Sequence, residues 1–251
     1  MTCLKRMHTI TLDVCDSTNT YLKSHYEQLK DKLPVLVTSD LQTGGRGREQ
    51  RKWISPGGKG VYSSFGFNLE GRENLSLLPL IAGIGVIETL KRLSTVELGL
   101  KWPNDVLWKK GDKKIAGILI ENVIMETRLF CIAGIGINLN QTTDDFPEGL
   151  RDKAVSLKMA AGSGNDYPVE TVNRILAEVF FQWLERLERN EREVIIQTAN
   201  GYAEFLMDRP ISFHHAGGVF NGIFKGIHES GGLLLEDNGG TTSIHYSGEI
   251  A

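Results

Sequence analysis

The sequence predicts an α+β fold in which a mixed β-sheet is flanked by helices and followed by a small β-barrel-like C-terminal domain. Three observations predict it. Strand-like and helix-like periods are interleaved as far as residue 140. The period then turns helical from Tyr167 to about Leu206. Past Arg209 and Pro210 short strands alternate with glycine turns.

The elements follow in order. "HTITLDV" (8–14) alternates as a half-buried strand. Asp16 and Ser17 offer an N-cap to a helix over 18–33. "VLVTSD" (35–40) and "VYSSFGFNL" (61–69) read as strands, and "LSLLPLIAGIGVIETLKRL" (75–93) as a buried helix despite Gly83 and Gly85. Three strand-like runs follow at 98–109, interrupted by Pro103, at 114–124 and at 128–140. "VETVNRILAEVFFQWLERLERN" (169–190) puts Ile175, Val179 and Trp183 on one apolar face, which reads as core. Hairpin signals stand at Ser230–Gly231–Gly232 and Asn238–Gly239–Gly240. The expected units are 1–205 and 206–251.

Composition narrows the function. With 251 residues, 41% hydrophobic and 24% charged, the chain can bury one sizeable core and carry a small satellite. A net charge of -3 argues against a nucleic-acid footprint over the whole surface. Cys3, Cys15 and Cys131 are odd in number and lack Cys-x-x-Cys spacing, which suits a reducing cytoplasm rather than disulfides or zinc. There is no signal-peptide h-region, and the longest apolar run, "LLPLIAGIGVI", is short and broken by glycine, so no membrane partner is expected. No metal site is expected from the histidines: His214 and His215, adjacent in a strand, face opposite ways.

One segment exceeds what folding needs. "TGGRGREQRKWISPGGKG" (43–60) packs glycines among Arg46, Arg48, Arg51, Lys52 and Lys59. It reads either as a solvated mobile loop or as an anion cradle, in which glycine admits backbone N–H groups and arginine forks grip oxygens. The P-loop pattern is absent. Three G-x-G triplets lack the third glycine of the dinucleotide fingerprint, with Gln50, Glu88 and Leu139 in its place.

Five ordered blocks carry a resemblance: "DSTN" (16–19), "GRGREQRKW" (45–53), "KWPNDV" (101–106), "KKIAGILIE" (113–121) and "GIGINLN" (134–140). Together they resemble the biotin–protein ligases, also called biotin–[acetyl-CoA-carboxylase] ligases, over nearly the whole chain. The resemblance implies a class II aminoacyl-tRNA synthetase/biotin-ligase-like catalytic domain and an SH3-like β-barrel end domain. It implies that biotin attacks the α-phosphate of ATP, with Mg²⁺, to give biotinyl-5'-AMP and pyrophosphate. The acyl group then passes to a lysine of a biotin carboxyl carrier protein or domain. Cations and positioning suffice for such chemistry.

Carried over residue by residue, Ser17, Thr18, Asn19 and Gln42 would meet the ureido ring, whose two donors and one acceptor suit short polar groups. Gly45, Arg46, Gly47 and Arg48 would grip the carboxylate and phosphate side. Arg51, Lys52 and Trp53 would help close a lid over the mixed anhydride. Glu49 and Gln50 depart from the Arg-Arg-Gly variant of some relatives. Lys101 would contact phosphates, Asn104 would line the site, and Asp105 would help deprotonate the carrier lysine. Lys114 would reach the biotin carboxylate and α-phosphate, Gly117 would allow close approach, and Gly134, Gly136 and Asn138 would form the far wall. Without the resemblance, Ser17 reads as a plain cap and Asn104–Asp105 as a turn. Strand alternation would separate a solvated Lys113 from a ligand-facing Lys114.

Two alternatives are distinguishable. Lipoate or octanoyl ligases share the architecture but are not expected to carry both "GRGREQRKW" and "KWPNDV". Some relatives are also DNA-binding repressors with an N-terminal helix-turn-helix domain. Only about fifteen residues precede "DSTN" here, which predicts a monofunctional cytoplasmic ligase without a nucleic-acid partner, either monomer or homodimer.

Overall fold

The structure is a computed structural model that describes residues 7–124, 129–215 and 218–250. Cys3 and Arg128, the first residue of the third predicted run, lie outside the described residues. The first sheet has seven strands: β1 (His8–Cys15), β2 (Val35–Gln42), β3 (Gly60–Leu69), β4 (Leu98–Lys101), β5 (Asp105–Trp108), β6 (Lys113–Ile124) and β7 (Leu129–Asn138). Their spatial order is β1-β2-β3-β7-β6-β5-β4. β1 and β2 run parallel and the other neighbours antiparallel, so the sheet is mixed as predicted.

Strand alternation divides the apolar residues between two faces. Leu36, Cys131, Ala133, Ile135 and Ile137 enter the large core. Their neighbours Val35, Val37, Phe130 and Ile132 join Leu22 and Leu29 in a small core on the other face. That small core is covered by α1 (Thr18–Ser24) and α2 (Tyr26–Leu29), where one helix had been expected; the chain breaks at His25. Further along the same face β7 carries Gly134 and Gly136, which add no side chains of their own and let Asn19 and Trp53 lie directly on the strand. The candidate site lies on this half.

The large core is filled by α3 (Leu78–Lys91), α5 (Val169–Glu188) and α6 (Arg192–Ala203), with a short α4 (Leu157–Ala161) between β7 and α5. Phe65 stacks on Phe180 at 4.6 Å and meets Phe181 edge-on at 5.7 Å. With the 3-10 turn before it, α3 makes a helical stretch, Arg72–Lys91, of 20 residues, long and apolar enough to cross a membrane, which is more than the predicted run suggested. Its most apolar window is 67% buried inside the protein, so here it is a core helix. Gly83 is used for close packing, since a Cβ there would run into Leu100. Burial pushes the Cys131 thiol up to about 11, which keeps it an inert core residue.

The C-terminal part holds β8 (Pro210–His215), β9 (Gly218–Ile227), β10 (Leu233–Glu236), β11 (Thr242–His245) and β12 (Glu249–Ile250) in one antiparallel sheet, ordered β11-β10-β9-β8-β12. Both predicted glycine turns connect strands, after β9 and after β10. Among the described residues the strands form an open sheet and not a closed barrel. Phe213, Phe224, Leu233 and Leu235 share the large core. The Trp102 indole N–H donates to the Gly231 carbonyl at 3.0 Å, which ties the turn before β10 to the "KWPNDV" segment.

Candidate functional site

The floor of the site is a row of cross-strand partners. Tyr62, Gly136, Gly117 and Asp105 lie opposite one another on β3, β7, β6 and β5. The two central glycines make the floor flat, and Trp53 lies on it. A Cβ on Gly136 would stand 2.6 Å from the indole Nε1, and one on Gly117 3.1 Å from Cζ3. The indole N–H is buried without a hydrogen-bond partner among the described residues.

Trp53 closes a hairpin-like lid. Its backbone N–H donates to the Gly45 carbonyl at 2.9 Å, the Gly47 N–H donates to the Arg51 carbonyl at 2.7 Å, and Arg46 bridges Lys52. Gly45 is needed for this closure, because a Cβ there would stand 2.7 Å from the Trp53 carbonyl and 2.8 Å from Ser55 Oγ. The tip holds Glu49 at φ 55° and Gln50 at φ 59°, and only at position 50 would the Arg-Arg-Gly variant place glycine in the left-handed region at no strain. The lid is also fastened from outside. Arg48 donates to Asn104 Oδ1 at 3.2 Å and to the Gly248 carbonyl at 2.8 Å, while Arg51 pairs with Glu249. The C-terminal sheet therefore helps shape the lid. Arg46 turns the other way, to Thr20 Oγ1 of α1 at 2.7 Å.

Behind the lid, the start of α1 meets β2, β3 and β6 in a buried polar chain. Thr18 gives both its N–H, at 2.9 Å, and its hydroxyl, at 3.2 Å, to Gln42 Oε1. Gln42 Nε2 donates to Ser55 Oγ at 3.1 Å. Ser64 Oγ lies 2.6 Å from Thr18 Oγ1 and 2.6 Å from Asn19 Oδ1. Asn19 Nδ2 donates to Glu121 Oε2 at 2.9 Å and to the Leu119 carbonyl at 3.3 Å. Ser17 occupies the N-cap position and is buried, but its hydroxyl makes no capping bond, so the plain-cap reading fails for the side chain. Gly134 belongs to this chain: a Cβ there would collide with the Asn19 amide.

On the opposite side Lys114 Nζ pairs with Asp105 Oδ1 at 2.6 Å and lies 5.5 Å from the Trp53 ring centre. Plain alternation would put Lys114 on the face away from Gly117, three residues on. A bulge decides otherwise. Val106 pairs with Ala116 and Leu107 with Lys114, so Ile115 is extra and turns Lys114 onto the face of Gly117 and Asp105. Lys114 N–H donates to the Lys153 carbonyl at 2.8 Å and its carbonyl accepts from Val155 at 3.0 Å, which pins the bulge. Lys113 turns out to the Arg151 carbonyl at 2.8 Å. The predicted division between the two lysines holds, through a bulge at Ile115.

The lid, Gly117 of the floor and the Lys114–Asp105 pair enclose a cavity of about 270 Å³, which the polar chain of Thr18, Asn19, Gln42 and Ser64 does not line. Gly47, Arg48, Arg51, Lys52, Trp53, Asn104, Asp105, Lys114, Gly117 and Asn138 line it, all of them singled out in the sequence. Lys101 does not line it, although it pairs with Asp105 in register. Ser64, Glu121, Phe146, Leu150 and Lys153 were missed. Ser64 had a signal, a serine inside an apolar strand, and Glu121 closes the quoted "KKIAGILIE" block. Phe146 and Leu150 come from an irregular segment with no period to read. That segment is anchored by the Asp145 carboxylate: burial works against its charge, but bonds from Lys59 and from Thr142 outweigh it and hold the carboxyl below its usual range. Among the described residues no group of three His, Cys, Asp or Glu could hold a metal ion.

Comparison with known proteins agrees with this geometry. The model of the biotin/lipoate A/B protein ligase family matches residues 11–138, and that of the biotin protein ligase C terminal domain matches residues 207–251. The bifunctional ligase/repressor BirA of Bacillus subtilis is 35% identical, over 97% of this chain and 73% of its own length. The biotin--[acetyl-CoA-carboxylase] ligase of Mycobacterium tuberculosis is 29% identical, over 93% of this chain and 85% of its own. The biotin protein ligase from Aquifex aeolicus, solved in complex with biotin and ATP, superposes with a TM-score of 0.79 at 30% identity, covering 97% of each chain. With the lid, the glycine floor and both domain matches in place, the chain belongs to the biotin/lipoate A/B protein ligase family, in its biotin protein ligase branch.

Proposed function

We propose that the chain activates biotin with ATP to biotinyl-5'-AMP, releasing pyrophosphate, and passes the biotinyl group to a lysine of a biotin carboxyl carrier domain. One observation carries the reading: a cavity ringed by Arg48, Arg51, Lys52 and Lys114 shares one face of β7 with a buried row of short polar groups, Trp53 lying over Gly136 and Asn19 over Gly134. The row suits a neutral ureido ring and the ring of cations suits a carboxylate meeting a phosphate. Lys114 offsets the repulsion between these anions before attack. The flat, apolar side of the cavity at Phe146 and Leu150 suits a purine ring.

Asp105 is paired with Lys114. Once ligand oxygens take Lys114, Asp105 is released to accept a proton from the carrier lysine, which is mostly protonated and unreactive at neutral pH. The lid keeps water from the anhydride between the two steps. Mg²⁺ would neutralise the phosphates; among the described residues Asp105 is the one carboxylate lining the cavity, so the nucleotide's own oxygens would supply most of its ligands.

The proposal assigns the catalytic unit to 1–205 and the SH3-like unit to 206–251, acting in the cytoplasm. The acidic balance of -3 supports a ligase without an operator-binding role. The test is pyrophosphate release with biotin beside a lipoate control, then labelling of a carrier domain. Turnover of lipoate alone would overturn the reading, and specific binding to operator-like DNA would overturn its last part.

A further inference from the structure

Lys59 belongs to the cation-rich 43–60 segment but does not line the cavity. Its ammonium donates instead to Asp145 Oδ1. The backbone that carries Lys59 is held on both sides: the Gly58 N–H donates to Asp40 Oδ1 at 2.8 Å, and the Lys59 carbonyl accepts the Asn140 N–H at 2.7 Å. Asp145 uses its other oxygen within its own turn. Oδ2 accepts the Thr142 N–H at 2.8 Å and the Thr142 hydroxyl at 2.9 Å, the capping box of the 3-10 turn Thr143–Asp145. Phe146 follows directly, and its N–H donates back to the Thr143 carbonyl at 3.2 Å. One carboxylate thus joins the end of the lid segment to the turn that carries the apolar wall of the cavity.

That wall has little else to hold it. Phe146 is 4% exposed, yet it is part of neither hydrophobic core. The segment is tied at its ends, through Asn140 to Lys59 and through residues 153–155 to Lys114. Among the described residues, the other polar contacts of 142–150 stay within 142–154, as do those of Arg151 with the Phe146 carbonyl and with Asp144. The middle, with Phe146 and Leu150, therefore hangs on Lys59.

We propose that Lys59 and Asp145 are positioning residues for the nucleotide: together they hold Phe146 and Leu150 where a purine ring can lie on them, and Lys59 itself grips no phosphate. This rests on the reading of ATP as substrate with its base on that wall. The pair is partly exposed, the Lys59 side chain at 40% and that of Asp145 at 18%, so its worth to stability is small. What it supplies is a fixed place for the wall.

The test uses Lys59→Met, which keeps the length of the side chain without its charge, and Asp145→Asn, which keeps an oxygen for Thr142. The probes are ATP and inorganic tripolyphosphate, which carries the phosphates without the base. KM for ATP and Ki of tripolyphosphate are read from biotin-dependent pyrophosphate release with a carrier domain present. Wild type should hold ATP about a hundredfold more tightly, because only ATP meets the wall. Each variant must order Phe146 and Leu150 as the base binds, so KM for ATP should rise about tenfold while Ki of tripolyphosphate stays put. The double variant should be no worse than either single one, and Lys59→Arg should restore a near-normal KM. Equal weakening of both probes would make Lys59 a phosphate contact and overturn the proposal. An unchanged KM for ATP in both variants, the behaviour of a strut that serves stability alone, would overturn it as well. Equal affinity of wild type for the two probes overturns the purine reading, and absence of biotin-dependent release overturns the substrate reading; each is seen in the wild-type arm alone.

Discussion

Gly134→Ala should unseat Asn19, and its cost can be worked from the bonds that Asn19 makes. The new methyl would overlap Asn19 Oδ1 and stand 2.8 Å from Cγ, with the amide enclosed at 3% exposure. Leaving its place, Asn19 loses a charge-assisted bond to Glu121, worth about 1.5–3 kcal/mol, and the neutral bond from Ser64, worth about 0.5–1.5 kcal/mol. A loss near 3 kcal/mol lowers Tm by about 6–12 °C for a chain of this size. Asn19→Ala removes the same bonds and should cost about as much. In the double variant the methyl has nothing to strike, and the strand backbone at 134 lies outside the positive-φ region, so alanine should add less than about 0.5 kcal/mol. The assay is a double-mutant cycle by denaturant unfolding, with biotin affinity read alongside. Additive costs, summing to about 6 kcal/mol, would refute the view that Gly134 exists to make room for Asn19.

Asp105→Asn should form the adenylate at a near-normal rate but transfer it to the carrier about a hundredfold more slowly, measured by single-turnover transfer from preformed adenylate; normal transfer would remove Asp105 as proton acceptor. Arg51→Ala and Glu249→Ala should each cost at most about 1 kcal/mol of stability, because the pair is partly exposed, while speeding adenylate release. That effect should shrink as salt rises and should not compound in the double variant. Asp145 has a folded-state pKa below its unfolded one, so its stabilising contribution is full above the ordinary carboxylate range, near pH 4, and is lost as pH falls through the lowered value. Melts between pH 2.5 and 6 should show a shallower acid decline for Asp145→Asn than for wild type; parallel declines would exclude that contribution.

Much of the architecture was legible because most of it follows period. The alternation of β2, β3 and β7 and the apolar face of α5 are set by burial, which composition records directly. The break at His25 and the open form of the C-terminal sheet depend on tertiary packing and strand closure, which a local pattern does not encode. Within the site, lid cations and floor glycines announce themselves by being wasteful for folding. Glu121 does not, since a lone glutamate in a strand reads as a solvated charge until Asn19 is seen beside it. Lys101 errs the opposite way: it neighbours Asp105 in the sheet, yet its side chain leaves the cavity to Lys114.

The doublet Lys113–Lys114 owes its division of labour to one residue of slack in β6. Both side chains are chemically the same, so nothing in their identity assigns the cavity to one and the surface to the other. A slip of the strand by one position would hand the cavity the wrong lysine while leaving the inventory of charges unchanged. Pairing of β6 must therefore be settled before the site can exist. The bonds from Lys114 to the segment at residues 153–155 act as the registration mark, so an ordinary length change in that distant loop would be read out as a misplaced charge at the reaction centre.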